Sequence, residues 1–443
     1  MRVDASSAGA RRGPEHLVPA LLFVFLGARE LSAQSSPLAK PEPPDGLGRH
    51  IARLNDVDGD KCADFAIDDG DRKAWVISGK TGAVLAREEA LTAPLATLGG
   101  DVNEDGAWDI LTWGRGSSST VVIRSGKDLS VLRTHKAPPA VELIWSFSVC
   151  AGDWNSDGKP DVAFDGKSDQ EAALFVLSAQ TGEVLHKVPA DQDFFRCTQL
   201  VWQDLDHDGR PDFITATEPW RSAAQTSIVR VRRAAPESPV LTIANESIYD
   251  GFAAGLAAVP DVDGDDWLDI LVVHALSGTF SQDGQAQFDA PETHRGIAGK
   301  AVIFSSKTGT PVRTLATTDA QENCEGVTVA NLDDLDGDSV PEFAISFDRF
   351  ILGRVVVYSG KTGQVLREHQ GVEGKGPTAT LSDVGRFAVC VTALGDTDGD
   401  GVGDYAIGAS GGVDGLGQGC VSTYSGKTGA LLRAIWKRDL VKK

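Results

Sequence analysis

The sequence predicts an all-β protein: a seven-bladed β-propeller of four-stranded antiparallel blades, with a cation-binding loop between strands 1 and 2 of each blade. Three observations carry this prediction. One nine-residue loop pattern recurs seven times along 443 residues. A second element recurs between the loops, a β-branched run leading into a glycine turn and another short strand. Glycine stands at 49 positions and proline at 20, a turn-rich composition that suits short strands better than long helices.

The loops are DVDGDKCAD from Asp56, DVNEDGAWD from Asp101, DWNSDGKPD from Asp153, DLDHDGRPD from Asp204, DVDGDDWLD from Asp261, DLDGDSVPE from Asp334 and DTDGDGVGD from Asp396. Oxygen-bearing side chains hold positions 1, 3, 5 and 9 of every copy. These are Asp56, Asp58, Asp60 and Asp64 in the first loop, and Asp101, Asn103, Asp105 and Asp109 in the second. The third has Asp153, Asn155, Asp157 and Asp161, and the fourth Asp204, Asp206, Asp208 and Asp212. The fifth has Asp261, Asp263, Asp265 and Asp269, the sixth Asp334, Asp336, Asp338 and Glu342, and the seventh Asp396, Asp398, Asp400 and Asp404.

Carboxylates at this density repel one another unless a cation sits among them. Ca²⁺ takes about 6–8 oxygens and tolerates irregular geometry, whereas Mg²⁺ demands an octahedron and keeps its waters. Alternate residues of a tight loop point to one centre, position 7 adds a backbone carbonyl, and position 9 folds back to close the cage. The expected cofactor is therefore Ca²⁺, up to seven ions, in a structural role. Glycine at position 6 permits the bend in four loops, while Lys61, Asp266 and Ser339 stand there in the others. The sixth loop, with Ser339 and the longer Glu342, is expected to be among the weakest.

An EF-hand is excluded. It needs glutamate at position 12, where this chain has Ile67, Thr112, Phe164, Thr215, Val272, Ile345 and Ile407. Strand-like runs such as DFAI and DILVV follow the loops, not helices. The loops start 45, 52, 51, 57, 73 and 62 residues apart, room for a four-stranded unit each.

The second element reads AWVISGKTGAVL, ALFVLSAQTGEVL, AVIFSSKTGTPV, VVVYSGKTGQVL and VSTYSGKTGALL. It is degraded to SGKDLSVL from Ser125 and replaced by AAPESP in the fourth unit. Its GKT is not a phosphate loop. The glycine that motif needs five residues earlier is missing, since Ala74, Val355 and Val421 stand there, and no helix follows. It reads as a hairpin turn with glycine at a positive φ. Each unit is thus strand, metal loop, strand, variable loop, strand, turn, strand, and seven such units close into a ring that protects most edges. They run over 46–89, 90–140, 141–192, 193–247, 248–320, 321–376 and 377–437.

The seventh unit, GRFAVCVTALGDTDGDGVGDYAIGASGGVDGLGQGCVSTYSG, resembles the FG-GAP repeat of the integrin-α N-terminal propeller family. It keeps a phenylalanine in the first strand, the Asp/Gly loop, and GASGG in place of Gly-Ala-Pro. The other six units match mainly through loop and turn. With a loop in every blade and no von Willebrand-type insertion, the chain is most similar to the secreted bacterial members.

Residues 1–33 have the layout of a secretory signal peptide: Arg2, Arg11 and Arg12, an apolar run from Leu17 to Leu26, then Leu31-Ser32-Ala33. That run is about half the ~20 residues a span requires, so no transmembrane segment is expected after cleavage. Residues 34–45 read as a Pro-rich linker and 46–437 as the propeller. The protein is expected to be secreted, in the periplasm or at the cell surface. Six cysteines could pair there, yet several lie in apolar strand-like runs that suit buried thiols equally. A formal charge of −21 argues against nucleic-acid binding. The acidity is local, because basic residues are slightly in excess outside the loops.

Strand alternation sends metal loops and turns to one rim, and the 2–3 loops and 4–1 connections to the other. In the family the chain resembles, that second rim binds the partner. Here it would present His135, Glu142, Trp145, Phe194, Tyr249 and Phe252, and the long 275–299 insertion with Phe280, Phe288, His294 and Arg295. The expected function is a ligand-binding or adhesion module for an extracellular glycan or protein. A calcium-dependent polysaccharide lyase or phosphodiesterase, or a purely structural envelope protein, are the alternatives. No Ser-His-Asp, HExxH or paired-histidine set can be read from the spacing, so no catalytic residue is assigned.

Overall fold

Short β-branched runs separated by turns form seven antiparallel sheets in the computed structural model. It describes residues 46–69, 73–91, 94–114, 120–136, 142–143, 149–167, 172–189, 197–217, 228–233, 240–244, 252–274, 300–315, 326–348, 353–370, 386–410 and 419–441. Within each sheet the strands follow chain order, 1-2-3-4, so every blade is one uninterrupted stretch of chain.

Blade 1 comprises Ile51–Arg53, Phe65–Asp68, Ala74–Ile77 and Val84–Glu88. Blade 2 comprises Leu95–Thr97, Ile110–Gly114, Thr120–Arg124 and Val131–Lys136. Blade 3 comprises Val149–Gly152, Asp161–Lys167, Ala172–Ser178 and Val184–Pro189. A two-residue strand, Glu142–Leu143, adds to its second strand at Lys167 and Gly166. Blade 4 comprises Cys197–Gln203, Asp212–Thr217, Ile228–Arg232 and Leu241–Ala244. Blade 5 comprises Gly255–Val259, Asp269–His274, Lys300–Phe304 and Pro311–Leu315. Blade 6 comprises Gly326–Asn331, Phe343–Asp348, Arg354–Tyr358 and Val365–Gln370. Blade 7 comprises Arg386–Gly395, Asp404–Ser410, Cys420–Tyr424 and Leu431–Trp436. A short helix, Lys437–Val441, follows the last strand, an element the sequence reading did not anticipate. The acidic loops lead into strands, as expected.

The core is divided among the seams between blades, and the period-2 alternation of each strand decides which seam a side chain enters. In blade 1, Phe65, Ile67, Trp75 and Ile77 pack against blade 7, while Ala66, Ala74 and Val76 face blade 2. Each buried hydrophobic cluster among the described residues joins two consecutive blades. Middle strands therefore bury both faces, as in Arg354–Tyr358, where every residue is buried. Outer strands expose part of theirs, as in Val365–Gln370.

The seam between blades 7 and 1 closes the ring. Leu47, just ahead of the first strand, and Leu440, in the terminal helix, are both buried in its cluster. Gly48 lies so close to Gly408 that a Cβ on either would overlap backbone of the other's segment. The Gly46 N–H donates to the Asp69 carbonyl at 3.0 Å, and Lys437 pairs with the Asp69 carboxylate at 3.4 Å. No blade is shared between the chain ends.

Cys62, Cys390 and Cys420 are buried free thiols. Burial pushes the Cys390 and Cys420 thiols up to about 12. For these three the small buried hydrophobe is the correct reading. Cys324 and residues 1–45, including the expected signal peptide and linker, lie outside the described residues. No helix among the described residues is long and apolar enough to cross a membrane.

Candidate metal centre

Each acidic loop is shaped by two left-handed residues, at positions 4 and 6. Position 4 is Gly59, Glu104, Ser156, His207, Gly264, Gly337 and Gly399, all at positive φ. Position 6 is Lys61, Gly106, Gly158, Gly209, Asp266, Ser339 and Gly401, again all at positive φ. The expectation of a single bending glycine at position 6 is thereby corrected. Six loops spend one glycine between the two sites and force a side-chain residue into the other, and only the seventh has glycine at both. Lys61, Asp266 and Ser339 adopt φ of 72, 66 and 69°, in loops whose glycine is at position 4.

That double bend turns the backbone N–H groups inward onto position 1. In the first loop, Asp56 accepts from the N–H of Gly59 at 2.7 Å, Asp60 at 3.1 Å and Lys61 at 2.7 Å. Asp396 is held in the same way by Gly399, Asp400 and Gly401. The position 5 carboxylate accepts from position 7, as when Cys62 N–H meets Asp60 Oδ1 at 2.9 Å. The outer oxygen of position 5 meets different partners. In loops 2 and 3, Asn103 and Asn155 donate to it at 2.9 and 3.0 Å. In loops 5, 6 and 7 the turn lysines Lys307, Lys361 and Lys427 approach it at 4.0, 3.7 and 4.0 Å. The lysine of the GKT turn is thus a counter-charge for its own blade's loop.

Position 9 joins loop to turn. Asp64 is fully buried and accepts from Val57 N–H at 2.8 Å and from Gly79, the first turn glycine, at 2.9 Å. Asp404 does the same with Thr397 and Gly426, and Asp109 with Val102 and Gly126. In these three blades the turn abuts the position 8 carbonyl so closely that only glycine fits. A Cβ on Gly79, Gly126 or Gly426 would overlap the oxygen of Ala63, Trp108 or Gly403. Blades 3 and 5 carry Ala179 and Ser306 instead, and in both the second position 9 oxygen has no hydrogen-bond partner. Those orphans are Asp161 Oδ1 and Asp269 Oδ1. In blade 6, where the turn keeps Gly360, the Oε1 of Glu342 is orphaned as well.

Such oxygens are costly to bury without a proton or a cation. Desolvation raises the carboxyls of Asp64, Asp109 and Asp161 up to about 6, against the pull of backbone N–H donors. Asp269 and Glu342 rise to about 7, by desolvation and then, beyond the N–H donors, by neighbouring loop carboxylates. In five loops, three or four carboxylate residues bring ligand atoms within 4.8 Å of one another. These are Asp56, Asp58 and Asp64; Asp204, Asp206 and Asp212; Asp261, Asp263 and Asp265; Asp396, Asp398 and Asp404; and Asp334, Asp336, Asp338 and Glu342. The sixth loop converges with all four, so Glu342 closes that cage by its length. The donor set, all hard oxygen with unsatisfied buried lone pairs, fits a hard divalent cation.

The opposite rim is different. Phe280, Phe288, His294, Arg295, Trp145, Phe194 and Tyr249 lie outside the described residues. Phe252 is buried, edge-on to His274 at 4.9 Å, so it is seam core and not a binding surface. The His135 Nε2 lies 2.7 Å from the Ala179 carbonyl of the next blade's turn, so it bridges two blades beside that turn and does not line the opposite rim as expected. Trp154 packs between His186 and Phe213. Trp267 lies beneath Arg233 at 4.2 Å and Lys307 at 5.1 Å.

The outer-strand arginines went unread in the sequence. Arg313 and Arg367 each donate to a carbonyl in the next blade's turn, Lys361 at 3.4 Å and Lys427 at 2.9 Å, and Arg433 donates to Lys80 and Thr81 of blade 1. Their signal was an arginine four residues past the turn glycine, at Gly309, Gly363 and Gly429.

Residues 101–164 match the FG-GAP-like repeat family. Among solved structures, BBS1N in complex with ARL6DN, soaked with lead, matches at TM-score 0.51 and 10% identity, covering 84% of this chain and 92% of that one. The hydrazine synthase of Kuenenia stuttgartiensis matches at TM-score 0.47 and 14% identity over 73% and 79% of the two chains. The Dos1 propeller matches at 0.46 and 12% over 89% and 85%. At such identities the likeness to BBS1N shows the fold alone. The FG-GAP match runs from the first residue of loop 2 into the second strand of blade 3, and that loop-to-strand unit recurs around all seven blades: the chain fits an FG-GAP, integrin-α-like propeller.

Proposed function

We propose that this chain is an exported, calcium-stabilised propeller that acts as a ligand-binding or adhesion module. The calcium reading rests on one observation. Asp161, Asp269 and Glu342 each bury a carboxylate oxygen without a partner, beside further loop carboxylates. Positions 1, 3, 5 and 9 of the seven loops would hold the ions, from Asp56 through Asp404. A bound Ca²⁺ supplies positive charge to both strands flanking a loop and so cross-links them. Seven ions would reduce the formal charge from −21 to −7. Chelation should lower the melting temperature and added Ca²⁺ restore it. An unchanged melt in excess chelator would refute the reading.

The binding role is supported by the fold and by the propeller BBS1N, whose structure was solved in complex with ARL6DN. The ligand would be an extracellular glycan or protein, met by the rim opposite the calcium loops, with the 275–299 insertion at its centre. The export assignment rests on residues 1–33, with 34–45 as linker and 46–437 as propeller. A glycan and matrix-protein array, run with calcium and with chelator, tests the binding role. Turnover of a polysaccharide or phosphodiester on that array, without retention, would favour the enzymatic alternative.

A further inference from the structure

The loops of blades 7 and 1 are physically joined, although 340 residues separate Asp396 from Asp56. The Ala63 N–H, at position 8 of loop 1, donates to the backbone carbonyl of Asp396 at 2.9 Å. Asp396 is the residue whose carboxylate opens loop 7. A second link runs between the two buried position 9 carboxylates. The Thr397 hydroxyl and N–H donate to Asp404 Oδ2 at 2.6 and 2.8 Å. The Thr397 methyl and Cβ crowd Gly79, whose absent Cβ would sit 3.1 and 3.0 Å from them. Gly79 in turn donates to Asp64 Oδ1 at 2.9 Å. A third link is the clamp of Arg433 on the Lys80 and Thr81 carbonyls, in the turn whose Lys80 Nζ donates to the Asp60 carbonyl at 3.1 Å. In that same loop Asp60 Oδ2 is buried with no partner.

We propose that a divalent cation is a ring-closing ligand: loops 7 and 1 bind as a positively coupled pair, and their occupancy holds the first blade against the last. This rests on the cation reading of the loops above. A cation in loop 7 fixes Asp396 and Asp404, and with them the carbonyl that anchors Ala63 and the threonine that backs Gly79. Loop 1 is then already ordered when its own cation arrives, so less freedom remains to be lost. Such coupling is reciprocal: each loop must help the other by the same factor.

The test uses the full chain and calcium alone, with peptide-resolved hydrogen exchange followed at graded calcium. Loop 7 is disabled by Asp398→Asn with Asp400→Asn, and loop 4, away from the seam, by Asp206→Asn with Asp208→Asn as control. These changes remove like charges, so the metal-free proteins retain their fold. Disabling loop 7 is expected to raise the calcium needed to protect residues 56–83 by about 5-fold or more, the lower end of usual coupling. Disabling loop 4 should leave that midpoint where it was. Thr397→Ala, with every carboxylate intact, should raise it in the same direction. If residues 56–83 are protected at the same calcium concentration in the loop 7 variant and the loop 4 variant, the coupling is overturned and the calcium reading stands. If calcium changes exchange in no loop of the unaltered protein, the calcium reading itself falls.

Discussion

Arg433, in the outer strand of the last blade, donates to the carbonyl oxygen of Thr81, in the turn of the first, at 2.7 Å. The residues are 352 positions apart, and the same guanidinium also reaches Lys80. A planar fork suits two carbonyls of one turn, which a single ammonium cannot match. Replacing Arg433 by alanine should cost about 1–2 kcal/mol in denaturant unfolding, at the low end for charged hydrogen bonds because the site is exposed. Lysine should not restore it. Arg133 occupies the equivalent position in blade 2 but, among the described residues, donates only to Leu132, so Arg133→Ala should be close to neutral.

Metal-free protein should be more stable near pH 5 than near pH 8. The position 9 carboxyls rise in the fold to about 6 for Asp64, Asp109 and Asp161, and to about 7 for Asp269 and Glu342. Folded protein therefore holds protons that unfolded chain has released, and stability falls as pH rises from about 4 through 7. Calcium should reverse the trend, because it binds the ionised form and expels those protons. Melts in chelator and in calcium, at matched ionic strength, check both signs. A chelated protein that melts higher at pH 8 than at pH 5 contradicts the argument.

Two kinds of loop glycine should respond differently to alanine. Around Gly106 the space for a Cβ is open, so only the left-handed backbone resists, at about 1 kcal/mol. On Gly426 a Cβ would overlap the Gly403 carbonyl, backbone against backbone, and the turn must move off loop 7. Gly426→Ala should cost about 3 kcal/mol and weaken calcium protection of loop 7. Equal losses at the two sites would show that close approach does not set the turn's position.

Cys390 and Cys420 should resist alkylation in the folded state at pH 8. Both are buried, and burial holds both thiols near 12, so little thiolate exists to react. Site-resolved mass spectrometry should find label on them only after denaturation.

The blade repeat was legible because loop and turn leave fixed residues at fixed offsets. The 2.0 period then assigns each side chain to one seam or the other, as Ala66 and Phe65 show. Less visible was how two φ values share one glycine, since Glu104, Ser156 and His207 occupy left-handed positions with no sequence mark of their own. Leu129 likewise replaces the turn glycine at φ 65° and is buried between blades 1 and 2, where apolar contact offsets the strain. The arginine clamps needed the ring itself: Arg433 meets Thr81 only after all seven blades have closed. Phe252 misled because an aromatic in a 4–1 connection looks the same in sequence whether it turns outward or into the seam.

Because each blade is one continuous segment and both ends of the propeller meet in a single seam, no covalent connection marks where the ring begins. Leu47 and Leu440 share one apolar cluster, so a short linker from 441 to 46 would bridge the junction. The chain could then be opened at another 4–1 connection, giving seven circular orders of the same seven sheets. Noncovalent contacts at the Leu47–Leu440 seam do the work that peptide bonds do at the other six. Permutants would thus weigh one seam against another directly, by moving the covalent break around the circle and recording which position the fold tolerates least.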